Sequence, residues 1–194
     1  SLFDVNPASI VRALERNPRI ESASVQLFPA AVRVSVRERR PYVLLNVGML
    51  LEVDSVGTIL PPLARGLIAD RPVVTGLRVP TRAPGARVLT ARFSEILRLV
   101  ARLEAPDVGL LPEISEIVAT DPRWLVLRTS RDQIPIFIDP ERATPRCLKA
   151  LAATLRDLRE RDRRVLGVDA RYRGQVIVRC APDSLDQRPA TRDK

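Results

Sequence analysis

Few residues of this 194-residue chain could carry chemistry, and their types narrow it quickly. Histidine is absent, which removes Ser/His/Asp and Cys/His catalysis, His-ligated zinc and imidazole proton shuttles. The two thiols, Cys147 and Cys180, stand too far apart for a CxxC pair and are too few for a disulfide scaffold. Two buried free thiols are expected, with a Cys147–Cys180 bridge as the alternative. Neither Asp54 nor Asp169 has a second carboxylate or a metal-ligand set beside it, so they read as a turn residue and a cross-strand residue. No catalytic residue, metal site, cofactor or small-molecule substrate is expected. What remains is the chemistry of binding. The net charge is +9 and, save Lys149 and Lys194, arginine carries all of the positive charge. That suits nucleic acid, membrane headgroups or acidic peptides without choosing among them, and genome base composition would give the same bias. The pair Arg171-Tyr172 stands out, because both types are enriched at interface centres. The plainer reading packs Tyr172 on Val176 and leaves Arg171 in solvent.

The element that must position this pair is the closing ribbon. Val168, Ala170 and Tyr172 alternate with polar residues, and the alternation resumes at Val176, Val178 and Cys180, the period of strands with one buried face. Parity favours a three-residue loop of Arg173, Gly174 and Gln175, with Gly174 at positive φ. Tyr172 then pairs with Val176, Ala170 with Val178, Val168 with Cys180, and Asp169 faces Arg179. One long strand bent at Gly174 preserves the same parity. As the last ordered strand, this segment is a candidate sheet edge.

The remaining chain reads as α+β. Asn6-Pro7 caps a short helix to about Arg16, with Ile10, Val11, Ala13 and Leu14 expected to form a buried stripe. A hairpin follows, Ala23 to Leu27 and Val32 to Val36, turning at Pro29-Ala30. Pro41 reads as a domain hinge. Beyond it come a hairpin over Tyr42 to Val53, a turn at Asp54 to Gly57, a short strand at Val73 to Thr75 closed by Gly76, and a helix from about Val88 to Leu103. Strands at 114–119, 124–128 and 134–138 precede a second long helix opened by Thr144-Pro145, with Leu148, Leu151, Leu155 and Leu158 on one face. The charge run Arg156 to Arg164 reads as that helix's solvated side, and Trp124 as a core residue of its strand. Residues 182–194 read as a disordered tail. No run approaches the ~20 apolar residues of a membrane span and no signal peptide opens the sequence, so any anchor or export signal is expected to lie outside it.

Several residues in order carry a resemblance. They are Leu2-Phe3 before a short helix, a hairpin ending Val36-Arg37-Glu38-Arg39-Arg40-Pro41, a V-D-x-x-G turn at Val53 to Gly57, Val74-Thr75-Gly76, the strand Trp124 to Leu127, a helix, and Val168-Asp169-Ala170-Arg171-Tyr172. This order resembles the bacterial cell-division proteins FtsQ and DivIB over nearly the whole chain. The resemblance implies a partial POTRA domain (helix plus β-hairpin) at 1–40 and a larger, curved, mostly antiparallel β-domain with two helices at 41–181. It also implies a periplasmic or extracytoplasmic location behind one N-terminal span of the inner membrane. The implied role is a divisome scaffold in septum formation whose partners are FtsB (DivIC)-like and FtsL-like proteins. In that family a partner adds a strand to the last strand's edge, which points to Arg171, Tyr172 and Gly174, with Val176, Ile177 and Val178 as edge backbone. Arg123 lies near the family's basic residue ahead of its tryptophan.

Two other functions fit parts of the sequence. A basic nucleic-acid-binding module would demand steep salt dependence and exposed aromatic platforms, and the chain holds only seven aromatic residues. A POTRA module of protein translocation or outer-membrane assembly would account for only the first 40 residues or so.

Overall fold

A computed structural model describes residues 6–29, 31–62, 69–161 and 164–181. The expectations about Leu2-Phe3, Ala30 and the tail at 182–194 lie outside the described residues. The fold is α+β, as expected, with one small and one large sheet.

Helix α1 (Pro7–Glu15) starts where Asn6 accepts hydrogen bonds from the amides of Ala8 and Ser9 at 3.0 and 3.3 Å. It packs on β1 (Ile20–Phe28), which pairs antiparallel with β2 (Ala31–Glu38). The register sets Ala23, Val25 and Leu27 against Val36, Val34 and Val32, so the period-2 reading of this hairpin holds. Val34 and Val36 nonetheless stay exposed, and no residue of α1 is fully buried.

The large sheet comprises β3 (Val43–Asn46), β4 (Leu50–Val53), β5 (Val73–Thr75), β6 (Ile114–Val118), β7 (Leu125–Thr129), β8 (Pro135–Ile138), β9 (Val165–Asp169) and β10 (Ile177–Cys180). Their order in space is β10-β9-β8-β7-β6-β5-β3-β4, and four of the seven pairings are antiparallel. Helices α2 (Ala91–Glu104) and α3 (Pro145–Glu160) cover one face. Thr90 caps α2 through the Phe93 amide and Thr144 caps α3 through the Cys147 amide. Helix α2 therefore begins three residues later than its periodicity suggests, and Val88 is instead a buried loop residue whose amide donates to Gly57. Phe93, Ile96, Val100 and Leu103 from α2 meet Leu148, Leu151 and Leu155 from α3 over Leu45, Val74, Ile117, Leu127, Ile136 and Val168. Removing these side chains from water is the main favourable contribution, roughly 1.5–3 kcal/mol for each fully buried large one.

Two arginines join the small sheet to the large one. Arg19 pairs with the nearly buried Glu52 on β4 and donates to the Pro61 carbonyl. Arg39 meets Asp54 at 3.0 Å. Asp54 also accepts the amides of Val56 and Thr58, so its reading as a turn residue is correct.

Candidate docking site

The closing ribbon forms, with a register two residues removed from the expected one. Ile177 faces Asp169, Val178 faces Val168 and Arg179 faces Gly167, with an irregularity before Cys180 opposite Val165. The connection is thus 170–176 rather than 173–175, and Asp169 does not face Arg179. The reason is local. The Asp169 carboxylate accepts from the Arg171 amide at 3.1 Å and from its guanidinium at 2.9 and 2.6 Å, which folds the chain back before it can continue the strand. Gly174, at φ 72°, then closes the turn, where the Gln175 amide donates to the Tyr172 carbonyl. Because the shift is even, Val168, Val176 and Val178 keep to the helix side. Tyr172 departs from that face and stands 52% exposed.

β10 is the terminal strand of the sheet, and its backbone polarity follows from one bond. The Ala170 amide donates to the Phe137 carbonyl on β8, so Val168 and Ala170 turn their backbone groups toward β8. Gly167 and Asp169 turn theirs toward β10, where Arg179 and Ile177 are the partners. Val178, between those two, directs its N–H and C=O outward. Among the described residues no strand pairs with that side. The opposite edge differs, since Thr58 to Leu60 run along β4 with the Leu60 amide on the Glu52 carbonyl and a bridge between Val53 and Ile59. One edge of the sheet is capped and the other is open, a template for a further strand.

Beside the open edge, on the face away from the helices, lies a cation–aromatic cluster. Trp124 and Phe137 alternate with the buried Leu125, Ile136 and Ile138 and so project to this face. The Arg171 guanidinium sits 4.8 Å from the Trp124 ring centroid and 5.4 Å from that of Phe137. Arg123 covers the Trp124 ring at 4.3 Å, an arrangement in which the ring quadrupole attracts both cations. Hydrogen bonding to Arg171 holds the Asp169 carboxyl below the usual carboxylate range, and the same bond raises Arg171. Ile177, opposite Asp169 and 44% exposed, carries the patch to the edge.

Of the residues singled out from sequence, Arg171, Tyr172, Gly174, Val176, Ile177 and Val178 lie along the closing ribbon, whereas Arg123, just ahead of β7, is separated from the edge strand by β8 and β9 and is linked to Arg171 through the Trp124 ring. Trp124 is a correction: it is half-buried and stacked with arginine rather than part of the core. Phe137 and the tether role of Asp169 were not anticipated. Parity was the available signal for the first two, since Trp124 and Phe137 are one residue out of phase with Leu125, Leu127 and Ile136. Cys147 and Cys180 are half-buried and unbridged, and burial pushes the Cys147 thiol up. Arg159 and Arg161 in the charge run pair with Glu113 and Asp157; 162–163 lie outside the described residues. Among the described residues no helix is long and apolar enough to cross a membrane.

Comparison with known proteins points one way. The chain is 26% identical to the cell division protein FtsQ of Geotalea daltonii over 179 residues, covering 92% of this chain and 65% of that protein. It is 29% identical to FtsQ of Rhodothermus marinus over 187 residues, covering 92% of this chain and 67% of the relative. Against FtsQ of Anaeromyxobacter sp. (strain K) the identity is 34% over 124 residues, covering 63% and 42% respectively. The chain thus spans less than two thirds of the length of the Geotalea relative. No family model matches the sequence.

Proposed function

Since the relatives it matches over most of its length are FtsQ cell division proteins, we propose that the chain belongs to that family and is the extracytoplasmic part of a non-enzymatic division scaffold. In this reading it acts in septum formation and docks an FtsB (DivIC)-like partner, with an FtsL-like protein in the same assembly. Residues 1–40 form a POTRA-type unit, 41–181 the docking domain, and the full protein is held at the inner membrane by an N-terminal anchor.

The observation that supports this is the open edge of β10, with Val178 turning its amide and carbonyl away from β9. A partner strand laid there gains main-chain hydrogen bonds, and its alternate side chains reach either the helix side at Val176 and Val178 or the open face at Ile177. The exposed Arg123 over the Trp124 ring offers a cation to an acidic partner that crosses the flanking face, while Arg171 shares its charge with Asp169. Charge of this kind sets encounter rate and orientation more than bulk affinity.

Calorimetric titration with overlapping peptides of the FtsB-type protein of the same genome tests the proposal. Arg171→Ala and Tyr172→Ala, each folded by circular dichroism, are expected to weaken binding by about tenfold or more, the loss of an interface hot spot. Unchanged affinity in both variants removes the reading.

A further inference from the structure

On the docking reading above, we propose that Arg92 is a positioning residue: from helix α2 it holds the Asp121–Trp124 turn and thereby sets the Trp124 ring against the Arg123 and Arg171 guanidinium groups. Arg92 lies in the first turn of α2, in the layer behind the sheet, yet its side chain ends at the turn that opens β7. One guanidinium nitrogen, Nη2, donates to the Asp121 carbonyl at 2.7 Å and to the Trp124 carbonyl at 2.6 Å. The two acceptors are the first and last residues of a four-residue turn, so a single group closes it. Nη1 is held by Glu95 at 2.9 Å, which fixes the guanidinium plane on its own helix. Within the turn, the Arg123 amide donates to the Asp121 carboxylate at 2.8 Å. Both ends of the loop that presents Arg123 and Trp124 are thereby fixed.

The Arg92 side chain is only 18% exposed, so its charge is committed to these carbonyls rather than to water. Replacement by methionine, which keeps an unbranched stem but no guanidinium, leaves two carbonyls without their donor and frees the turn to move. Lysine, which keeps a cation near both carbonyls, restores part of the hold, and Glu95→Gln keeps an acceptor for Nη1 while losing its charge.

Trp124 is the only tryptophan, so its fluorescence reads the ring directly. In Arg92→Met the emission is expected to shift to the red with stronger acrylamide quenching, and the partner peptide to bind about tenfold more weakly, as for a lost hydrogen bond to a charged group. Arg92→Lys is expected to fall between Arg92→Met and wild type, and Glu95→Gln, which keeps an acceptor for Nη1 but not the charge, to change both readouts less than Arg92→Lys. If Arg92→Met does not fold, Arg92→Lys carries the test through the same two readouts. A folded Arg92 variant that loses thermal stability while Trp124 emission and binding stay at wild type overturns the assignment. Failure of the docking reading is separate, because it shows in Arg171→Ala and Tyr172→Ala whatever Arg92 does.

Discussion

Proline at Val178 separates the inner and outer sides of the edge strand. The Val178 amide points away from β9 by the alternation anchored at the Ala170–Phe137 bond, so Val178→Pro breaks no ladder bond. Proline is tolerated at such edge positions. Half-buried Val178 packs against the core, and a ring of similar carbon count keeps most of that contact, so the stability cost is about 1 kcal/mol. Ile177→Pro, one residue away, removes the bond to Asp169 and is expected to cost about 3 kcal/mol. For docking the order reverses. Val178→Pro deletes the donor a partner carbonyl would use, about 1 kcal/mol net, and places ring carbons where that carbonyl would approach. The expected result is an affinity loss of tenfold or more, about 1.4 kcal/mol, in a protein that melts near the wild-type temperature. Thermal denaturation and calorimetric titration of both variants measure this. A folded Val178→Pro protein with wild-type affinity for the partner peptide would refute strand addition at this edge.

Three further outcomes are expected. Burial, then the charge of Glu104, pushes the Tyr42 phenol up to about 12 from 10.0; the folded state favours the neutral form, so stability is intact below pH 10 and declines from there to about 12. Urea unfolding across that range should show the decline in wild type and lose it in Tyr42→Phe. The Asp169 carboxyl is held below the usual range by Arg171, so the tether persists above that range and is released as pH falls beneath it. Trp124 emission should change there, and be insensitive to acid in Asp169→Asn. At Gly76, φ is 80° and an added Cβ would lie 2.8 Å from Thr120 Cγ2 and 2.9 Å from the Thr120 amide nitrogen. Gly76→Ala combines left-handed strain with a backbone clash and should cost about 3 kcal/mol in denaturant titrations.

The elements themselves were legible because their signals are local. Asn6 and Thr144 accept amide hydrogen bonds at the helix starts, and the 3.6-residue stripe of Phe93, Ile96, Val100 and Leu103 is the one that becomes buried. The parity of the closing ribbon was legible too, since an even shift conserves the buried face. Its register was not, because the choice rests on the Asp169–Arg171 bonds, which the alternation of apolar and polar residues does not encode. Trp124 was misread for a related reason: indole usually goes inward, yet its phase against Leu125 and Leu127 sends it outward to the arginines. Arg92 left no trace in the sequence, because its acceptors are main-chain carbonyls some 30 positions away.

Amide-resolved hydrogen exchange, with and without the partner peptide, addresses the open edge most directly. In the free protein the Ile177 and Arg179 amides should be protected and the Val178 amide should exchange rapidly; peptide should slow Val178 selectively. A Val178 amide already protected in the free chain, or one that stays fast when the partner is bound, would contradict the account.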